Sequence, residues 1–389
     1  MMLKALSKIL LILLPLCTLA HGDKSYPFIK NKGQWDSRIQ YNVLIPNGNL
    51  YLESGGLTYH LIDKSYIKSL HSQNQLPQPD SVQAHGLFLK FEGSNENVRI
   101  TKTGNYIIEI YDDEDEIVFS KKFIVYRQKS NVGVGIKRSR DLTYIESKQI
   151  VQFTITPVRS FFNNPKTTIK TLVFKNNNIK DNITNLKPQY TVGNQLIYRY
   201  DQEAAFWAGN EYFYFDNKDL RGGNIFLSHY EIKYLYHNFL HINKSRAYEP
   251  YTYNPDINGA YVVKTLTADN NDIEADYVQM HFSLENYENM GNRKIYIIGQ
   301  FNDFMMNAAS ELKYNQDSGL YENTSLIKQG FVNYKFVALH NNEVDHSLID
   351  GNFYQTENEY TVVVYYRDLG ARYDEVIGVG SANSINISN

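Results

Sequence analysis

Apolar and polar positions alternate in short runs along most of this chain, and nearly every run stops at a Gly, Asn, Asp or Pro. The last third shows this most plainly. It reads Ile295-Tyr-Ile-Ile-Gly-Gln-Phe-Asn-Asp-Phe304, Asp317-Ser-Gly-Leu-Tyr321, Gln329-Gly-Phe-Val-Asn-Tyr-Lys-Phe-Val337 and Glu359-Tyr-Thr-Val-Val-Val-Tyr-Tyr366. A period of two in β-branched and aromatic residues is the signature of strands with one buried face. Turn residues at this spacing predict antiparallel sandwiches. The expected fold class is all-β, with tandem immunoglobulin-like or E-set sandwich modules.

A chain of 389 residues is too long for one sandwich. The runs divide it as follows. Residues 1–22 read as a signal peptide and 23–128 as a first, composite β-domain. Residues 129–247 read as a second sandwich, 248–379 as a third, and 380–389 as a flexible tail. The boundary near 248 rests on Tyr248-Glu-Pro-Tyr-Thr-Tyr-Asn-Pro-Asp-Ile-Asn-Gly259, a linker candidate with two prolines and a glycine. Inside the first region, Gly104-Asn-Tyr-Ile-Ile-Glu-Ile-Tyr111 and Ile117 to Val125 predict a hairpin around the acidic turn Asp112 to Glu116.

Composition narrows the function. A formal net charge of −3 leaves no basic surplus to neutralise phosphates, which argues against a nucleic-acid partner. The N-terminus carries Lys4 and Lys8, an apolar run from Ile9 to Leu16, and Ala20 at a suitable cleavage position. Those are the parts of a secretory signal, and the run is too short to span a bilayer. Cleavage near His21 or Asp23 would remove Cys17, the single cysteine, so the expected mature protein has no disulfide. Bulky Pro15 and Leu16 before Cys17 argue against lipid attachment. An exported protein, peripheral rather than integral to a membrane, is the expectation.

Candidate chemistry is sparse, and the expectation is a non-enzymatic protein without a cofactor. The five carboxylates at 112–116 lack the ligand spacing of a known calcium loop and read as a solvated hairpin tip. His229, His237 and His241 are the metal candidates, because i and i+4 share a face of an extended strand. Zinc sites want three or four convergent ligands, so no metal is expected. Asp345, His346 and Ser347 have the residue types of a catalytic triad, but such partners converge in space rather than in sequence. Phe206 and Trp207, between two strand runs, are the candidates for an exposed partner-binding anchor, since Trp is enriched at interface hot spots.

From about Asn97 onwards the chain resembles the plug protein family of the type IX secretion system. The residues that carry this are Thr103 to Tyr111, Lys122-Phe-Ile-Val125, Asn182-Ile-Thr-Asn-Leu-Lys-Pro188 and Gly193-Asn-Gln-Leu-Ile-Tyr198. They continue with Gly209-Asn-Glu211, Phe213-Tyr-Phe-Asp216, Asp256-Ile-Asn-Gly259, Ile273 to Tyr277, Gly299-Gln-Phe-Asn302 and Tyr334-Lys-Phe336. The resemblance implies a periplasmic, outer-membrane-associated, non-enzymatic protein that closes the translocon barrel through protein–protein contacts. Residues from Phe28 to about Ser94 instead resemble the opening β-domain of large secreted bacterial surface proteins, through Phe28-Ile-Lys-Asn-Lys-Gly-Gln-Trp35, Gly56-Leu-Thr-Tyr59 and His85 to Phe91. The join falls near Asn95-Glu-Asn97. The third module is also similar to glycogen-binding sandwiches through Gly299 to Phe304 and Tyr334-Lys-Phe336, which implies the alternative of a carbohydrate-binding surface protein. Phe304 stands where those modules often carry Trp.

Overall fold

The computed structural model describes the strands at 29–30, 39–45, 48–53, 56–61 and 88–90. It also describes residues 100–387 apart from 112–116, 159–160, 267–270, 287–289 and 342. Residues 1–22, read above as a signal peptide, with Cys17 among them, and the acidic residues 112–116 lie outside the described residues. The protein is nearly all β, with two four-residue helical turns among the described residues, Pro165–Thr168 and Asn271–Glu274. No helix among the described residues is long and apolar enough to cross a membrane.

The chain divides into two compact units, residues 1–126 with 262–276, and residues 127–261 with 277–389. In the first unit, Ile39–Ile45, Gly48–Glu53 and Gly56–Leu61 form an antiparallel meander, with Ile29–Lys30 at its edge. A second sheet holds the expected hairpin of Gly104–Tyr111 and Ile117–Tyr126. Phe88–Lys90 joins that hairpin in parallel, with Phe88 opposite Ile124. Strand pairing therefore runs across the join expected near Asn95–Asn97. Ile100, Phe123 and Val125 form a small core there, with Tyr106 stacked on Phe123 at 5.5 Å.

The second unit contains two sandwiches, and their division corrects the sequence boundaries. In the first sandwich, one sheet centres on Lys148–Pro157. Ser130–Arg138 pairs along one side of it, and Gln195–Tyr198 and Ala205–Trp207 pair along the other. Its second sheet runs Asn178–Thr184, Ile169–Lys175, Glu359–Tyr366, Glu375–Asn383. The last two strands were expected in the third module. In the structure, Val362 and Val364 enter the same core as Val151, Phe153, Ile155, Val173 and Tyr198. Arg127 and Lys129 donate backbone hydrogen bonds to Val376 and Ile377, which closes that side of the sandwich. The expected flexible tail is also corrected. Glu375–Asn383 continues to residue 383, a 3-10 turn follows at Ser384–Asn386, and Ser384 is buried.

The second sandwich is inserted between strands Ala205–Trp207 and Glu359–Tyr366 of the first. It contains Phe213–Asp216, Leu227–Ile232 and Tyr236–Leu240, all expected in the preceding module, together with the strands from Tyr277 to Asp345. Glu311–Asn315 links its two halves. Glu311 and Leu312 pair with Lys294–Ile298, while Lys313, Tyr314 and Asn315 pair with Leu320–Lys328. Tyr277–Glu285 alternates buried and half-buried residues along its length and places Val278, Met280, Phe282 and Leu284 in the core. Each such fully buried apolar side chain stabilises the fold by about 1.5–3 kcal/mol. A strand's local pattern specifies that it has a buried face, but not which sheet covers that face.

Candidate partner-binding surface

The two anchor candidates separate. Phe206 is 3% exposed and packs in the core of the first sandwich against the Tyr360 ring at 5.2 Å. Strand alternation sends Phe206 inwards and Trp207 outwards. The exposed Phe206–Trp207 pair is therefore corrected to Trp207 alone, which is half-buried. The His346 ring stacks on Trp207 at 5.6 Å and 20°, and the Tyr144 ring meets it edge-on at 5.6 Å. The Lys148 ammonium lies 3.8 Å from the Tyr144 ring centre and 4.4 Å from that of Trp207. Beside them, the Arg138 guanidinium covers the Tyr354 ring at 3.8 Å while its Nε donates to the Ile145 carbonyl. Cation–π contacts of this kind are worth about 0.5–2 kcal/mol each, depending on desolvation.

This surface draws on both sandwiches, since His346 follows the second sandwich's last strand and Trp207 ends an edge strand of the first. Burial, with the Lys175 ammonium adding to it, pushes the His346 pKa down to about 4, so the ring is neutral at physiological pH. Leu142 lies fully in solvent in the turn that carries Tyr144. Trp, Tyr and Arg gathered on one surface are the residue types enriched at protein-binding surfaces. Tyr144, Lys148, Arg138 and Tyr354 were not legible as part of it, because they come from the ends of two strands and from two turns and have no common motif.

The triad residue types do not assemble into one. Asp345 Oδ1 accepts from the backbone N–H groups of Ser347 and Leu348 and so forms a turn, while His346 faces Trp207. His237 and His241 do not converge either: His241 Nε2 lies 3.4 Å from the Asn224 carbonyl, and His237 faces His281. Among the described residues, no group of three or more His, Cys, Asp or Glu side chains is placed to hold a metal ion. The stretch Gly299 to Phe304, expected to resemble glycogen-binding modules, forms a structural corner. Asn302 Oδ1 accepts from Gly299 N–H at 3.1 Å, Asn302 Nδ2 donates to the Ile297 carbonyl at 2.9 Å, and Phe304 is 4% exposed. A buried Phe304 presents no face to a sugar ring.

Between the sandwiches lies a buried polar seam. Gln149 donates through Nε2 to the carbonyls of Tyr354 and Thr356. Its Oε1 accepts from Asn358 Nδ2 and from the Tyr360 hydroxyl. Further along, Glu211 Oε1 accepts from the Tyr251 hydroxyl at 2.6 Å and from Glu357 N–H at 3.0 Å. Arg246 donates to Asp350 Oδ1 and to the Glu211 carbonyl, and its guanidinium covers the Phe213 ring at 3.8 Å. Asp256 accepts from the N–H groups of Tyr212 and Asn258, and Asn333 Oδ1 accepts from Ile257 N–H. Burial raises the Glu211 and Asp256 carboxyl pKa values and lowers that of Lys335 to about 8. The linker candidate at 248–259 is thus a strap whose Tyr251 and Asp256 tie the sandwiches together.

Residues 28–108 match the model of a family described as a domain of unknown function, DUF7948. The match ends within strand Gly104–Tyr111. No curated protein matches the chain. Among solved structures, the chain is similar to a hypothetical protein from Parabacteroides merdae ATCC 43184. The two are 29% identical over 74% of each chain, with a TM-score of 0.70.

Proposed function

We propose that this is a non-enzymatic, periplasmic component of the type IX secretion system, which occludes the outer-membrane translocon barrel by protein–protein contact. One observation carries the reading. Five of the segments behind the plug-family resemblance lie in or beside the seam of the inserted-sandwich architecture. Gly209-Asn-Glu211 supplies the Glu211 carboxylate and its neighbours, and Asp256-Ile-Asn-Gly259 the strap's anchor. Phe213–Asp216 pairs with Gly330–His340, the strand that carries Tyr334-Lys-Phe336. Gly259 accepts from Gln300 N–H at the Gly299 corner. Segments scattered over more than 120 positions of sequence therefore describe one three-dimensional arrangement, which a general β-rich composition would not reproduce.

The surface that faces the partner, in this reading, is the Trp207–Tyr144–His346 cluster with its two cations. It is held on a frame that the seam keeps rigid, as suits a module that must block a pore. The experiment is affinity capture of the tagged mature chain from outer-membrane extracts of a cell with a type IX system. The reading expects the translocon barrel in the eluate. Glycan binding without barrel capture would replace it with the carbohydrate-binding alternative.

A further inference from the structure

The outward face of the second sandwich carries rings in strand register. His229 stands opposite Phe239, Phe239 beside His281, and His281 opposite Thr324. The rings stack at 4.2 Å and 9° for His229 on Phe239, and at 4.0 Å and 6° for Phe239 on His281. From the neighbouring row, His237 directs Nδ1 at His281 Nε2, 2.8 Å away. The other nitrogen of His281 is 2.9 Å from Thr324 Oγ1.

We propose that His237 and His281 form a two-imidazole site for a borderline divalent transition-metal ion, Cu2+ or Zn2+. His237 Nδ1 and His281 Nε2 share a hydrogen bond at 2.8 Å, which a bridging metal would replace once the two rings turn so that their lone pairs converge. With metal–nitrogen bonds of about 2.0–2.1 Å, a tetrahedral site wants them ~3.3 Å apart, so the rings need to part by only about 0.5 Å. A metal takes the neutral imidazole, so the site binds with both rings singly protonated. Metal entry requires one tautomer of each. His281 binds through Nε2 and keeps its proton on Nδ1, where Thr324 Oγ1 accepts it. His237 binds through Nδ1 and keeps its proton on Nε2, so no net proton is released.

The environment pre-sets the geometry. Thr324 plays the part of an orienting outer partner, and stacking on Phe239 fixes the His281 plane. Glu231 is the cross-strand partner of His237 and is paired with Lys233 at 2.6 Å. Water fills the remaining coordination positions, which places the affinity well below that of a closed structural zinc site. Imidazole ligands set the preference order at Cu2+ above Zn2+, with Mg2+ and Ca2+ excluded.

The test follows the imidazole resonances of the full chain by nuclear magnetic resonance during titration with Zn2+, with Mg2+ as control. Zn2+ is expected to shift the His237 and His281 signals saturably at one equivalent and to leave His229 and His241 free of direct coordination. His237→Gln and His281→Gln should each weaken binding by at least tenfold without altering the circular dichroism spectrum, His241→Ala should leave it unchanged, and Thr324→Val should weaken it about tenfold. Imidazole signals unmoved by millimolar Zn2+, or shifts that persist in the folded His237→Gln/His281→Gln double variant, would overturn the proposal.

Discussion

Asn358 Nδ2 donates to Gln149 Oε1 at 3.1 Å, which links two wholly buried side chains 209 positions apart. Asn358 opens the strand by which the chain re-enters the first sandwich, and Gln149 lies in that sandwich's central strand. Asn358 also donates to the Ala208 carbonyl and accepts from Asn176 Nδ2. The exit and the return of the chain are thus pinned to one amide.

Replacement of Gln149 by Leu should therefore destabilise the protein strongly. It takes the Gln149 partner from the Tyr360 hydroxyl and the Tyr354 carbonyl, at about 1–3 kcal/mol for each orphaned buried polar group, and removes one of several partners from the Asn358 amide and the Thr356 carbonyl. Urea denaturation of the full chain is expected to show a loss of at least ~3 kcal/mol. A loss below about 1 kcal/mol would mean that the network is not the fastening described.

Gly259 offers a sharper geometric test. Its φ is +79°, and a Cβ there would stand 2.7 Å from the Tyr212 ring. Gly291 has a φ of +53° with nothing within 4 Å of its Cβ position. Both Gly→Ala changes carry the left-handed backbone penalty of about 1–2 kcal/mol, and Gly259→Ala adds the clash inside the seam. Thermal melts should rank Gly259→Ala well below Gly291→Ala. Equal melting temperatures would contradict the packing of the strap.

The seam carboxylates predict an unusual pH response. Burial raises the folded-state pKa of Glu211 above 4.5, with its hydrogen bonds from Tyr251 and Glu357 opposing that shift. A raised pKa contributes stability that is present below the unfolded value and lost as pH rises through the folded one. Glu211→Gln keeps the acceptor for Tyr251 and removes the charge. It should gain on the parent protein as pH rises from about 4.5 towards neutrality. Lys335 adds the opposite limb: with its pKa lowered to about 8, its contribution is present above 10.5 and lost as pH falls through 8. Stability curves of the two proteins that stay parallel from pH 4.5 to 8 would refute the Glu211 assignment.

Phe206→Ala and Trp207→Ala should part company. Phe206 fills the first sandwich's core, so its truncation is expected to cost about 3–5 kcal/mol of stability. Trp207→Ala should retain the fold and lower partner capture, by about 2 kcal/mol of binding if the ring is a hot spot. A joint Ala variant would confuse unfolding with lost binding. Separate denaturation and capture measurements on each single variant decide the matter, and a Trp207→Ala chain that captures as well as the parent removes the anchor.

Strand existence was legible where period-two alternation acts locally: Gly330 to Val337 and Glu359 to Tyr366 lie in strands where their patterns place them. Sheet membership was not. Val362 reads the same whether Val173 or Phe336 covers it, and only the buried amides of Gln149, Asn176 and Asn358 mark the strands that share a seam. The proline-rich strap misled for a related reason. Its turn residues signal a break in regular structure, which a linker and a strap both require. His281 escaped notice as the partner of His237 because strand Tyr277–Glu285 lies beside Tyr236–Leu240 in a parallel pairing that no local pattern announces.

The central claim, that this chain is a translocon plug, is tested most directly by in-cell cross-linking from the Trp207 surface. A photoreactive amino acid at Leu142, fully exposed beside Tyr144, would be activated in a type IX-secreting cell, and the adducts identified by mass spectrometry. The account predicts adducts with the outer-membrane translocon barrel, reduced by Trp207→Ala in a chain that still folds. Efficient expression of the folded chain in the periplasm, with no adduct to the barrel from this surface and no barrel captured by the tagged parent, would contradict it.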